Sequence, residues 1–159
     1  MLDAYASLLN ETIIRVYDSI MRLEEQMLAR SVKNLTISEL HILEAIGKMN
    51  GEPCTISDLA QARQVSLPSM TVAVQKLEKK GLVEKRRGPQ DGRVVQVSLT
   101  RNGHKYYAMH AYFHERMVRS LLRNIPEQQR PALLQAMQDI DLFLKRQLAG
   151  MNGGEDQQA

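Results

Sequence analysis

The feature that most restricts the fold is a change of hydrophobic period at Gly81. Before it, apolar residues recur at the spacing of amphipathic helices, and Lys79-Lys80 with Gly81 form a helix stop signal. After it, the helical spacing is lost in the basic run 82–87, and beyond the turn-forming run GPQDG the apolar residues Val95, Val97 and Leu99 recur at every second position. The sequence therefore predicts a helix followed directly by a β-hairpin.

Three short helices are predicted by their start signals. Thr36 and Glu39 have the spacing of a capping box, Thr55 opens a second helix, and Ser66 is an N-cap candidate for a third. The second and third helices are separated by a tight link at Gln64-Val65. Two helices joined in this way form a helix-turn-helix, and a hairpin that follows makes it a winged one.

Positive charge is concentrated in the same part of the chain. Residues 61–105 contain ten Lys and Arg but three Asp and Glu, a net charge of +7, whereas the rest of the chain sums to −4. A basic centre between acidic flanks is typical of a module that binds a polyanion. The alternative is a solvated surface on which charges cluster by chance.

One face of the third helix carries small polar side chains suited to DNA bases. Met70, Ala73 and Leu77 share the opposite face and are expected to point inward. Hydroxyl groups and Gln75 match base edges, whereas Val72 matches a thymine methyl group. A plain solvated helix face is the alternative. The DNA-binding candidates on this helix are Ser66, Pro68, Ser69, Thr71, Val72, Gln75 and Lys76.

The hairpin is expected to act as a basic wing. Lys85, Arg86 and Arg87 are expected to contact the DNA backbone, and Arg93, beyond the turn, to enter the minor groove. Asp91 would support the tip by pairing with an arginine, or be an ordinary turn residue. Three lysines of the preceding helix are also expected to contact phosphates, namely Lys76, Lys79 and Lys80.

Long amphipathic helices are predicted at both ends of the chain. Apolar residues from Leu2 to Met27 follow a heptad spacing, and a second stripe runs from Leu133 to Leu148 in a helix whose first turn holds Pro126. The stripes would pack together and against a second copy, or only within one chain. The expected regions are 1–32 and 101–148 for helical dimerisation, 36–100 for the DNA-binding lobe, and 149–159 for a flexible tail.

The segments TISELHILEAIG, TISDLAQARQVSLPSMTVAVQKLEKKGLV and DGRVVQVSLTRNG resemble the MarR family of transcription regulators, across residues 2–148. The resemblance implies a mainly α fold with a small β-hairpin wing, in which a winged helix-turn-helix lobe joins a helical dimerisation region. It also implies a homodimer that binds palindromic DNA in major grooves about 34 Å apart.

Within the family the chain is most similar to FabT-type repressors of fatty-acid synthesis genes. This similarity implies long-chain acyl-acyl carrier protein as corepressor. The methionines on the apolar stripes are expected to fill the core or, alternatively, to line a site for a fatty-acyl ligand. A zinc- or small-molecule-responsive regulator is the alternative function. An interaction protein without DNA binding is disfavoured by the wing arginines.

Three histidines and a carboxylate form a candidate zinc site. His110 and His114 are four residues apart on one helix face, and His41 and either Glu24 or Glu25 would complete the set. These positions also resemble the ligands of the family's zinc-responsive repressors. The alternative is that the histidines are structural and that the protein requires no cofactor.

Other classes of protein lack support in the sequence. Cys54, the only cysteine, excludes an internal disulfide and is expected in a loop. No catalytic triad and no phosphate-binding glycine loop stands out, so an enzyme is not predicted. The apolar runs are far shorter than the about 20 residues of a membrane-spanning helix, and no signal peptide is evident. We therefore expect a cytoplasmic protein without membrane partners.

Overall fold

The computed structural model describes residues 3–31, 34–49, 54–87 and 94–152. The chain forms two compact units, Met1–Phe113 and His114–Ala159. The helices are α1 (Ala4–Ser31), α2 (Ile37–Gly47), α3 (Ile56–Arg63), α4 (Leu67–Lys79), α5 (Arg101–Arg123) and α6 (Arg130–Asn152). The strands are β1 (Cys54–Thr55), β2 (Val83–Arg87) and β3 (Val95–Leu99). This mainly helical fold with a small sheet is the predicted fold class.

The predicted helix starts are confirmed by their capping hydrogen bonds. The Thr36 hydroxyl accepts from the Glu39 N–H at 3.2 Å, and the Glu39 carboxylate accepts from the Thr36 N–H at 2.9 Å. Asp58 completes the same reciprocal pair at the start of α3. The Ser66 hydroxyl accepts from the Ser69 N–H at 3.3 Å at the start of α4. Each cap satisfies backbone donors that have no partner inside the helix.

The sheet has one strand more than the sequence predicts. Strands β2 and β3 form the expected hairpin, but β1 pairs with the other edge of β3, so that the order is β1-β3-β2. Cys54, expected in a loop, lies in β1 opposite Val97 and is buried. A strand of two residues has no hydrophobic period to detect, which explains the wrong expectation. Burial raises the pKa of the Cys54 thiol, which keeps it protonated.

The core of the first unit is formed by α2, α3, α4 and the sheet. Leu40, Leu43, Leu59 and Leu77 are fully buried there. Met70 is also buried, as its helical spacing predicts, and Val74, which the sequence did not single out, joins it. The inner face of α4 is thereby anchored by apolar packing, which leaves its opposite face available to a ligand.

The second unit departs from the predicted helix boundaries at both ends of α6. Pro126 precedes a 3-10 turn (Glu127–Gln129), so α6 starts four residues later, at Arg130. At its other end α6 reaches Asn152, so the first four residues of the predicted tail are helical. Gly150 costs only about 1 kcal/mol inside a helix and need not end it. The remainder of the tail lies outside the described residues.

Two helices carry long apolar stripes on their exposed surfaces. On α1 the heptad positions Leu9, Ile13, Val16 and Leu23 are 45–51% exposed. The stripe predicted for α6 is also exposed, at Leu133, Met137, Ile140, Leu144 and Leu148. Within the described residues, no helix is long and apolar enough to cross a bilayer.

Candidate nucleic-acid interface

The exposed face of α4 contains most of the residues predicted to read DNA. Val72 is 50% exposed although it is apolar. Thr71 differs from its neighbours, because it is half-buried and its hydroxyl donates to the Leu67 carbonyl at 2.8 Å. The predicted residues that are exposed on this helix and its N-cap are Ser66, Pro68, Ser69, Val72, Gln75 and Lys76.

The first strand of the wing lies beside α4 but does not expose all of its charges. Lys85 is half-buried, and its ammonium pairs with Glu78 of α4 at 2.6 Å. Arg86 and Arg87 are exposed, and Arg86 pairs with Glu84 of the same strand at 2.9 Å. The predicted tip residues Asp91 and Arg93 lie outside the described residues. Lys85 thus ties the wing to α4, a contact the sequence did not predict.

Lys80, expected to contact a phosphate, has internal partners instead. Its ammonium lies 2.7 Å from both carboxylate oxygens of Glu39 and 2.6 Å from the Asn34 carbonyl. Burial alone would raise the pKa of Glu39, but hydrogen bonds from Lys80 and Thr36 outweigh it and hold the pKa below its usual 4.5. The carboxylate is therefore ionised at neutral pH, and the charge of Lys80 is largely neutralised.

A buried polar cluster lies between α1, α2 and α5. His41 Nε2 is 3.4 Å from Glu24 Oε2, and His110 Nε2 is 3.8 Å from Glu24 Oε1. His110 is fully buried, and its other ring nitrogen lies 3.4 Å from Glu44 Oε2. The choice left open by the sequence is resolved geometrically, because Glu24 is buried in the cluster whereas Glu25 is exposed. Glu44 was missed, although its i,i+3 spacing from His41 places both on one helix face.

Three of the four predicted zinc ligands are close enough to share an ion. One ligand atom each from Glu24, His41 and His110 lies within 4.8 Å of the others. Ligand atoms of a tetrahedral zinc ion are about 3.3 Å apart, close to the measured His41–Glu24 separation of 3.4 Å. Two imidazoles and a carboxylate are also donors that zinc accepts. His114, the fourth candidate, is half-buried on α5 and belongs to the second unit.

Comparisons with known proteins agree with this architecture. The model of the MarR family matches residues 33–94, which include α2, α3, α4 and β2. A solved structure of Streptococcus pneumoniae FabT, in complex with DNA, superimposes with a TM-score of 0.83 and 27% identity, over 89% of this chain and 98% of that one. In its fold and in the sequence of residues 33–94, the chain resembles the MarR family of winged-helix transcription regulators.

Two Bacillus subtilis proteins extend the comparison. The HTH-type transcriptional regulator YdgJ is 30% identical over 81 residues, 51% of this chain and 49% of that protein. The HTH-type transcriptional regulator YwhA is 29% identical over 98 residues, 62% of this chain and 67% of that protein. The chain thus aligns with about half of the length of the first relative and two thirds of the second.

Proposed function

We propose that this protein is a homodimeric, sequence-specific DNA-binding transcriptional repressor of the MarR family. The observation that supports DNA binding is the exposed polar face of α4 beside the basic strand β2. Val72 and Gln75 would meet base edges in the major groove, and Lys76, Arg86 and Arg87 would contact phosphates. The similar FabT structure, solved in complex with DNA, supports this role.

The homodimer is supported by the apolar stripes of α1 and α6. Each helix exposes a stripe of large apolar side chains, which soluble monomers rarely do, so a second copy of the chain is the simplest partner to bury them. A twofold axis would present two α4 helices to one side of a DNA duplex. A palindrome with half-sites about 34 Å apart would then match the dimer.

Gln75→Ala tests whether α4 reads bases. We expect the variant to lose preference at one base pair of each half-site, at a cost of about 1 to 3 kcal/mol, because an amide side chain discriminates adenine. Fluorescence anisotropy at fixed salt, on single-base variants of the DNA upstream of the protein's own gene, would measure this loss. Equal weakening on all sequences would instead make Gln75 a backbone contact.

The effector we propose is long-chain acyl-acyl carrier protein, acting as corepressor of fatty-acid synthesis genes. The proposal rests on the resemblance to FabT-type repressors. An effector that favours the DNA-competent spacing of the two lobes would tighten binding by population shift. The test is operator affinity with the acylated and the unacylated carrier. Tightening by the acylated form alone is the expected result, and equal affinity with both forms would reject this effector.

A zinc-responsive regulator is a second candidate, which the Glu24, His41 and His110 cluster favours. Bound zinc would join α1, α2 and α5 through these side chains, and Glu44 would orient the His110 ring. We expect His41→Ala to weaken zinc binding at least about tenfold in a calorimetric titration. His104→Ala, which removes an exposed histidine, should leave zinc binding unchanged. Zinc binding that both variants retain would reject the site.

A further inference from the structure

The C-terminal end of α4 is held by one lysine with three oxygen acceptors. Lys80 is the C-cap residue of α4, and its ammonium lies within 2.7 Å of both Glu39 oxygens and of the Asn34 carbonyl. An ammonium has three donors, so these acceptors match its full capacity. Asn34 has a left-handed backbone (φ 72°) just before α2, which places its carbonyl on the loop that enters that helix. A single side chain therefore connects α4 to the start of α2.

The acceptor side of this contact is rigidly held. Glu39 is 7% exposed and also accepts from the N–H and the hydroxyl of Thr36, so its carboxylate cannot rotate without breaking the α2 capping box. The side chains of Lys80 and Glu39 are 34% and 10% exposed. Water and salt therefore screen this ion pair less than they screen a fully exposed pair. The Lys80–Glu39 pair is therefore a fixed attachment between two elements that are 41 residues apart in the chain.

The pair lies at the end of α4 opposite the proposed DNA contacts, so a change in the pair would move those contacts. Helix α4 has 13 residues and is about 20 Å long, with its DNA-facing N-terminus at the end opposite Lys80. A rotation of about 3° at the Lys80 end would move the other end by about 1 Å. Hydrogen bonds to base edges tolerate only a few tenths of an ångström before they weaken.

We propose that Lys80 is a positioning residue for DNA recognition, whose ion pair with Glu39 sets the angle of α4 without contacting the DNA. This inference rests on the proposed DNA-binding function. It differs from two other roles: a phosphate contact would change the salt dependence of binding, and a purely structural contact would change stability alone. The three roles make different predictions for specific binding, non-specific binding and salt.

Lys80→Met removes the ammonium and keeps an unbranched side chain that is one atom shorter. We expect the ratio of operator to unrelated-DNA affinity to fall about tenfold, the discrimination carried by one good base contact. The slope of log affinity against log salt should be unchanged. Lys79→Met is the matched control, because it removes the same charge from an exposed neighbour in the last turn of α4. This variant should preserve the ratio even where Lys79 contacts a phosphate, because loss of a phosphate contact weakens specific and non-specific binding together.

Two further variants keep the experiment decisive. Lys80→Arg should recover most of the ratio, because a guanidinium can pair with Glu39 through two hydrogen bonds. Glu39→Gln should lower the ratio as Lys80→Met does, and the double variant should lower it no further. If Lys80→Met does not fold, the proposal is tested by Glu39→Gln, whose ratio of operator to unrelated-DNA affinity is compared with that of the wild type.

Three results would overturn the proposal. A salt slope reduced by about 0.9, with specific and non-specific binding weakened together, would make Lys80 a phosphate contact. If the ratio is unchanged and Tm is lowered, the pair is purely structural. If neither the ratio nor Tm changes, the pair contributes neither to DNA recognition nor to stability. Wild type and Lys79→Met report in the same assay whether the protein binds DNA at all, so a failure of the proposed function is distinguishable.

Discussion

Gly103→Ala is expected to destabilise the first unit by about 3 kcal/mol and to lower Tm by roughly 6 to 12 °C. Gly103 is buried in the first turn of α5, where a Cβ atom would overlap the Leu82 carbonyl oxygen and lie 3.2 Å from Leu99 Cδ2. The Leu82 carbonyl cannot move away cheaply, because it accepts the Thr100 N–H at 3.1 Å. Thermal unfolding followed by circular dichroism would measure the loss.

The control for this prediction is Gly150→Ala. Gly150 lies in α6, and a Cβ added there would have no atom within 4 Å. Alanine is a better helix former than glycine, so this variant should be neutral or more stable by up to about 1 kcal/mol. If both variants unfold at the wild-type temperature, the close approach of α5 to Leu82 is not as tight as the structure indicates.

Ile13→Glu is expected to dissociate the proposed homodimer and to weaken operator binding at least about 100-fold. The stripe position Ile13 is 48% exposed in the single chain, and twofold symmetry would place two new carboxylates in one apolar interface. A monomer would contact one half-site only and would lose the gain from simultaneous binding of two. Analytical ultracentrifugation and anisotropy on the same samples would measure both effects.

Ile14→Glu provides the matched control for the dimer. Ile14 is 52% exposed and receives the same change, but it lies about 100° around the helix from Ile13, off the heptad stripe. It should leave the mass of the dimer unchanged. A dimeric Ile13→Glu variant with wild-type operator affinity would contradict the proposed interface.

Local signals in the sequence were sufficient to predict most of the elements. Thr36, Thr55 and Ser66 each cap a helix as predicted, and the alternation after Gly81 forms the hairpin. Capping and alternation act over a few residues, so they can be recognised without knowledge of distant parts of the chain. The same holds for Met70, whose helical spacing alone predicts its inward orientation.

Partners that are distant in the chain were decided only by the tertiary structure. Strand β1 exists because Cys54 pairs with Val97, and Lys80 has internal partners because the end of α4 reaches Glu39. A lysine in the last turn of a helix has the same local signature whether it faces a phosphate or a buried carboxylate.

The sequence by itself therefore determined the order of the α-helices and of the two hairpin strands, and the face of α4 that is exposed. Only the tertiary structure decided which lysines and arginines remain available to contact DNA, and which carboxylate lies beside His41 and His110. Glu24 and Glu25 have the same chemistry, and packing around α1 buries one and exposes the other. The physical reason is that charge pairing depends on distance in space, which packing sets between residues that no local pattern connects.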